Sequence, residues 1–240
     1  MSGHSKWSKV KHQKAVTDSV KGREFTKAAR AITTAVREGG GVSDPDGNFR
    51  LRLAIEKARD VNMPKVNIDR AIARAKGEDT GSFETILYEG FGPGGVAILI
   101  EAATDNRQRT VSILRNILEV AGGSLGGNGS VSYLFDTVGI IIASKDAKTF
   151  DTMMTIALEV GASDCLEESD AYVLFTDSAK LFTVRAALEK QGIGIVRADI
   201  VKKPKITVAV TESDKSRIDL LVNAFEDLDD VGRVFTNVEY

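Results

Sequence analysis

The chain has 240 residues, enough for two or three domains with cores of their own, and its 42% hydrophobic and 28% charged content is that of an ordinary globular protein. No apolar run approaches the roughly 20 residues that span a bilayer. The opening Met1-Ser2-Gly3-His4-Ser5-Lys6-Trp7 has no apolar signal segment, and the single Cys165 excludes an internal disulfide, so the expectation is a reducing cytosol and no membrane partner. The net charge of −2 hides a split: residues 1–77 carry 17 basic and 8 acidic side chains, residues 78–240 carry 15 and 26. A basic front on an acidic body points to a polyanion-binding module on a scaffold that resists indiscriminate sticking.

The first 77 residues read as helical. After Gly22, Phe25, Ala29, Ile32 and Val36 recur on one helical face, and Arg23, Lys27, Arg30, Thr34 and Arg37 repeat that spacing two residues earlier. Two residues are about 200° of rotation, so the basic stripe, roughly 20 Å long, lies opposite the apolar one. Gly39-Gly40-Gly41 ends this helix at Glu38, and Asp44-Pro45-Asp46-Gly47 is turn chemistry. A second helix is expected from about Asn48 to Val61, with Leu51, Ile55, Ala58 and Val61 inward. Pro64 opens a third with Ile68, Ala71, Ile72 and Ala75 inward and Arg70 and Arg74 as an exposed pair; Gly77 closes it.

The period then changes. Strands are expected at 85–88 and 96–100, separated by Glu89-Gly90-Phe91-Gly92-Pro93-Gly94-Gly95, followed by a helix from Arg107 to Val120. Strands near 131–135 and 139–143, a helix near 147–160, strands near 164–167 and 171–176, a helix at 179–191 and a strand near 195–201 follow. With the first of these strands set aside, the order is the β-α-β-β-α-β split unit. The remainder gives a strand at 206–210, a helix at 213–225 and a strand at 233–238, half a unit that pairs with the incomplete 83–128. The fold class is α+β: a three-helix domain plus two ferredoxin-like α/β domains, the third inserted into the second. The domain reading is a basic flexible arm over 1–20, a helical domain over 21–77, a discontinuous α/β domain over 78–129 and 205–240, and an inserted ferredoxin-like domain over 130–204.

The motifs Gly3-His4-Ser5-Lys6-Trp7, Lys11-His12, Phe25-Thr26-Lys27, Asn62-Met63-Pro64-Lys65, Tyr88 to Gly95, Thr104-Asp105-Asn106-Arg107 and Gly129-Ser130-Val131 run in order along the whole chain and resemble the YebC/PmpR family. The resemblance implies a helical first domain and two α/β domains. It also implies a probable DNA-binding transcriptional regulator; a mitochondrial branch is described as translational activators, and bacterial relatives have been tied to ribosomes translating proline-rich sequences. Val66-Asn67 departs from the acidic residue that many relatives carry near this helix start, which removes a favourable charge–dipole contact.

Two sets of residues are the candidate nucleic-acid ligands. In the arm, Lys6, Lys9, Lys11 and Lys14 suit phosphate neutralisation and Trp7 suits stacking on an unpaired base; the bland alternative is a solvated tail with a docked indole. On the helices, Arg23, Lys27, Arg30 and Arg37 form the stripe, with Arg70 and Arg74 beside it; the bland alternative is a wet helix face. The connection 39–47 is far longer than the turn of a helix-turn-helix, so base reading by a recognition helix is not expected.

Catalysis and cofactors are not expected. The glycine-rich loops 90–95 and 122–129 lack the phosphate-loop and dinucleotide patterns and read as tight turns. Asp105 or Asn106 caps the following helix, and Arg107 and Arg109 near its positive end need an anionic partner: Glu89 or Glu101 internally, which is the preferred reading, or an RNA phosphate. His4 and His12 lack zinc spacing, Cys165 beside acids reads as a packing residue, and 226–230 reads as a solvated loop in preference to a cation site. The functional expectation is a non-enzymatic nucleic-acid-binding regulator on DNA, with a ribosome-associated translation factor on ribosomal RNA as the alternative.

Overall fold

The computed structural model describes residues 18–76, 84–145 and 148–239, and for residues 18–23 the backbone alone. Helices α1 (Asp18–Glu38), α2 (Phe49–Asp60) and α3 (Lys65–Lys76) come first. Ile32, Ala35 and Val36 of α1 pack with Leu51, Ala54, Ile55 and Ala58 of α2 and Ile68 and Ala71 of α3, which is the core the apolar spacing dictates. The helix expected to start after Gly22 already includes Asp18 to Gly22. A glycine inside a helix costs about 1 kcal/mol relative to alanine but does not by itself stop it. Asn48 joins the bundle: its Oδ1 caps α2 by accepting from Leu51 N, while its Nδ2 donates to Ala35 O and Val42 O. Thr33 is buried and its hydroxyl reaches Ala29 O and Ala71 O, linking α1 to α3.

The chain then divides into two compact units: the helices belong with the sheet domain formed by residues up to Leu134 and from Ile206 onward, and Phe135–Lys205 is the inserted unit. In the first, β1 (Glu84–Phe91), β2 (Ala97–Thr104), α4 (Arg107–Val120), β3 (Ser124–Leu125), α7 (Glu212–Glu226) and β8 (Val231–Thr236) build an antiparallel sheet in the order β3-β1-β2-β8. Tyr88 and the alternate residues Val96, Ile98, Ile100 and Ala102 meet Leu114 and Leu118 of α4 and Ile218, Leu221, Val222 and Phe225 of α7. The two halves of this sheet domain pair across the insertion, as the sequence implies, through β2 and β8.

The inserted unit runs β4 (Phe135–Ser144), α5 (Phe150–Glu159), β5 (Asp164–Glu167), β6 (Ala171–Asp177), α6 (Leu181–Lys190) and β7 (Ile195–Pro204), with antiparallel sheet order β5-β6-β4-β7. That is the ferredoxin-like order. The helices turn Met153, Ala157, Leu181, Val184 and Leu188 inward.

Two expected strands are absent as such. Residues 131–135 form no separate strand: Ser132–Leu134 is a 3-10 turn, and 135–144 is one continuous strand. The amides of Val131 and Ser132, which a strand would need for its ladder, donate instead to the Glu89 carboxylate. Residues 206–210 contribute a single parallel bridge, Val208 to Val238. Asn237 disrupts the ladder there, because its side chain accepts from Ala97 N at 2.8 Å and donates to Ile206 O at 3.3 Å.

Candidate nucleic-acid interface

The arm residues Lys6, Trp7, Lys9, Lys11 and Lys14 lie outside the described residues, as do His4 and His12, and so does the Arg23 side chain. The rest of the basic set divides into two groups with different surroundings.

On α1, Lys27 Nζ donates to the carbonyl oxygen of Glu226. One turn on, Arg30 Nη1 donates to Asp229 O at 2.5 Å and to Asp230 Oδ1 at 2.8 Å. The stripe is therefore not a uniform wet face; its middle lies on the acidic turn between α7 and β8. Burial holds the Lys27 ammonium below its ordinary range, against the opposing pull of Glu24, Glu226, Asp227 and Asp229. Arg37, in the last turn of α1, is half-buried and complements the negative helix end.

On α3, Arg70 and Arg74 are exposed, with Lys65, Lys76 and Asp69 exposed around them and Val66 65% exposed on the same helix. Arg70 Nη1 makes a long 3.4 Å bond to Asn67 Oδ1 one turn earlier, which leaves most of its five donors for another acceptor. Arg70 thus presents on this exposed face guanidinium donors of the kind that phosphate recognition uses.

The acidic turn is the solvated loop expected at Glu226, Asp227 and Asp229, which are exposed, but not at Asp230. Asp230 is the hub of a polar cluster: its side chain is 11% exposed, and Oδ2 accepts from Thr110 Oγ1 at 2.8 Å, Arg109 Nη2 at 3.0 Å and Thr104 Oγ1 at 3.2 Å. Burial alone would raise its pKa, but the bonds from Thr110, Arg109 and Arg30 reverse that and hold the carboxyl below the ordinary range. Tyr88 OH is buried beside this region without a hydrogen-bond partner, and burial pushes its pKa up.

The partners expected for Arg109 are corrected by this geometry. They are Asp105, at 2.7 Å, and Asp230, not Glu89 or Glu101; Asn106 is the cap of α4. Glu101 on β2 is instead bonded by Arg233 on β8. Glu89 is 6% exposed and takes three backbone amides, Gly129 N at 2.7 Å, Val131 N at 2.7 Å and Ser132 N at 2.8 Å. The second glycine loop thus cradles an anion after all, but one supplied by the chain itself. Glu89 and Asp230 were missed as structural centres because their donors lie 40 to 43 and 120 to 200 residues away; the local signals were the glycine loop and the paired Asp229-Asp230.

Little here suits bond-making chemistry. Burial, with Asp164 and Glu167 adding to it, pushes the Cys165 thiol up to about 11, which suits packing and not nucleophilic attack. Among the described residues no group of three or more His, Cys, Asp or Glu is placed to hold a metal, and no helix is long and apolar enough to cross a membrane.

Three helices rich in basic residues, followed by two antiparallel sheet units, define a multidomain α+β protein. Family comparison agrees with this architecture: residues 5–78 match the TACO1/YebC N-terminal domain and residues 83–238 match the TACO1/YebC second and third domain. The chain belongs to the TACO1/YebC family. It is 46% identical over 242 residues to a probable transcriptional regulatory protein of Sulfurihydrogenibium sp., covering 100% of this chain and 96% of that one. A protein of the same description from Geobacter sulfurreducens is 45% identical over 240 residues, with the same coverage. A crystal structure of a conserved hypothetical protein from Aquifex aeolicus superposes with a TM-score of 0.86 at 41% identity, covering 98% of this chain and 97% of that one.

Proposed function

We propose that this chain is a non-enzymatic, nucleic-acid-binding regulator of gene expression that grips phosphate with its basic N-terminal region. The observation that carries the reading is the concentration of 17 basic side chains in residues 1–77, with Arg70 and Arg74 exposed on α3 and the arm lysines Lys6, Lys9, Lys11 and Lys14 ahead of the bundle. The relatives described as probable transcriptional regulatory proteins support DNA as the target.

One observation favours a second reading, a translation factor on structured ribosomal RNA. The link between α1 and α2 spans residues 39–48, with no short turn to present a recognition helix, so the bundle suits phosphate and shape more than base edges. Replacing Lys6, Lys9, Lys11 and Lys14 with Ala is expected to weaken binding and to flatten the dependence of log K on log salt by a few units; an unchanged slope defeats the arm's role. Sedimentation of a salt-washed extract separates the two targets. Retention with ribosomal subunits supports translation, and release together with selection of particular promoter fragments supports transcription.

A further inference from the structure

We propose that the acidic segment Glu226–Asp230 is a built-in phosphate stand-in: it covers Lys27 and Arg30 of α1, and a bound nucleic acid displaces it to gain those two cations. The inference rests on the nucleic-acid reading above and deepens it by naming how the binding face is regulated.

The contact has the chemistry of a phosphate backbone. Lys27 and Arg30 donate to oxygen acceptors of this segment: the carbonyls of Glu226 and Asp229 and the carboxylate of Asp230. The segment carries four carboxylates in five residues, and three of them, Glu226, Asp227 and Asp229, belong to exposed residues whose field acts on the Lys27 ammonium. Such a run presents a short polyanion to a helix whose stripe is spaced for one.

The junction is also built to open. The apolar core of the helices and that of the sheet domain share no residue, and the link formed by Lys27 and Arg30 is polar. Separation at this point exposes groups that water satisfies. Asp230 stays held when Arg30 leaves, because Thr110, Arg109 and Thr104 all bond its other oxygen, Oδ2. The turn therefore keeps its fold in the open state. Charge-assisted bonds to partly exposed groups weaken with salt and yield to a ligand offering several phosphates at once.

The test is Asp230→Asn in the full chain, read by anisotropy of a labelled mixed-sequence RNA and of a DNA duplex of equal length over a salt series. Removing the carboxylate that bonds Arg30 is expected to tighten binding several-fold and to steepen the slope of log K against log salt by about one, given close to one unit per phosphate neutralised. Glu119→Gln, an exposed acid on α4, is the control for the loss of one negative charge. Equal shifts in variant and control, or an unchanged slope in a folded Asp230→Asn protein, overturn the inference. Should Asp230→Asn fail to fold, the triple variant Glu226→Gln, Asp227→Asn, Asp229→Asn leaves the hub and the carbonyl contacts intact but removes the field of three carboxylates on Lys27; it is expected to tighten binding, and a shift no larger than that of a control neutralising three exposed acids elsewhere overturns the inference. Failure of the unaltered chain to bind either probe at low salt overturns the nucleic-acid reading itself, and this inference with it.

Discussion

Glu89 and Asp230 belong to the same sheet domain, and both carboxyls are held below their ordinary pKa against the effect of burial, but they are held by different means. Glu89 is bonded by three backbone amides of one glycine-rich loop. Asp230 is bonded by two guanidinium groups from different elements and by hydroxyls. Amide dipoles fixed in a loop carry no net charge and cannot be exchanged for solvent ions, whereas an arginine partly in water is screened. The first arrangement makes a permanent fold element; the second makes a junction that ionic conditions adjust.

The largest expected effect tests the permanent side. Glu89→Gln keeps one acceptor oxygen but places an NH2 group against amide donors, and loses the charge that strengthens all three bonds. A loss of about 2–4 kcal/mol is expected, seen as a lower denaturant midpoint without a change in slope. A loss below about 0.5 kcal/mol would mean that the loop holds itself. Because both carboxyls lie below their ordinary values of 4.5 and 3.8 in the folded chain, the stability each supplies is complete above those values. It is lost as pH falls through the lowered folded values. Acid should therefore destabilise the unaltered chain more steeply than Glu89→Gln.

A matched pair of glycines in the same loop comes next. At Gly123 a Cβ would meet the Phe91 carbonyl and stand 3.2 Å from Gly92 Cα, backbone that cannot swing aside, while at Gly127 nothing lies within 4 Å. Gly123→Ala is expected to cost about 1–3 kcal/mol by overpacking, and Gly127→Ala close to nothing. Equal melting temperatures for the two would break the account of the loop as closely packed against β1.

Asp230→Asn is expected to cost about 1–2 kcal/mol at low salt, and its distinguishing feature is salt dependence. The stability gap between it and the unaltered chain should shrink as salt rises, whereas the gap for Glu89→Gln should persist. Parallel behaviour of the two variants in a salt series of denaturation curves would abolish the distinction between the clasps.

The sequence marked what is local and missed what is distant. The helix Arg107–Val120 was legible to the residue because its apolar spacing and its glycine stop lie within one segment. The split β-α-β-β-α-β order of the insertion was legible for the same reason. Residues 131–135 looked like a strand because Val131, Leu134 and Phe135 are apolar, but Glu89, some 40 residues earlier, takes the amides a strand would use. On α1 the spacing placed Lys27 and Arg30 opposite the apolar face, which is where a wet surface is expected. No periodicity reveals that a carboxylate 200 residues away occupies part of that surface.

The smallest effect on stability is expected where the comparison is extended to the two cationic faces of the bundle. Arg70→Ala with Arg74→Ala removes exposed side chains of α3 from positions that pack against no core, so the melting temperature should stay within the range of surface substitutions, about 0.5 kcal/mol or less. Binding to nucleic acid should fall, and the salt slope should drop by up to two units, since each guanidinium neutralises at most one phosphate. Lys27→Ala with Arg30→Ala should destabilise the junction with the acidic turn and lower binding less than the α3 pair does, because the phosphate contacts those cations gain are offset by the contacts with the turn that they give up. If the α3 pair leaves binding untouched while the α1 pair abolishes it, the assignment of open and covered faces is inverted, and the acidic turn is a competitor too weak to matter.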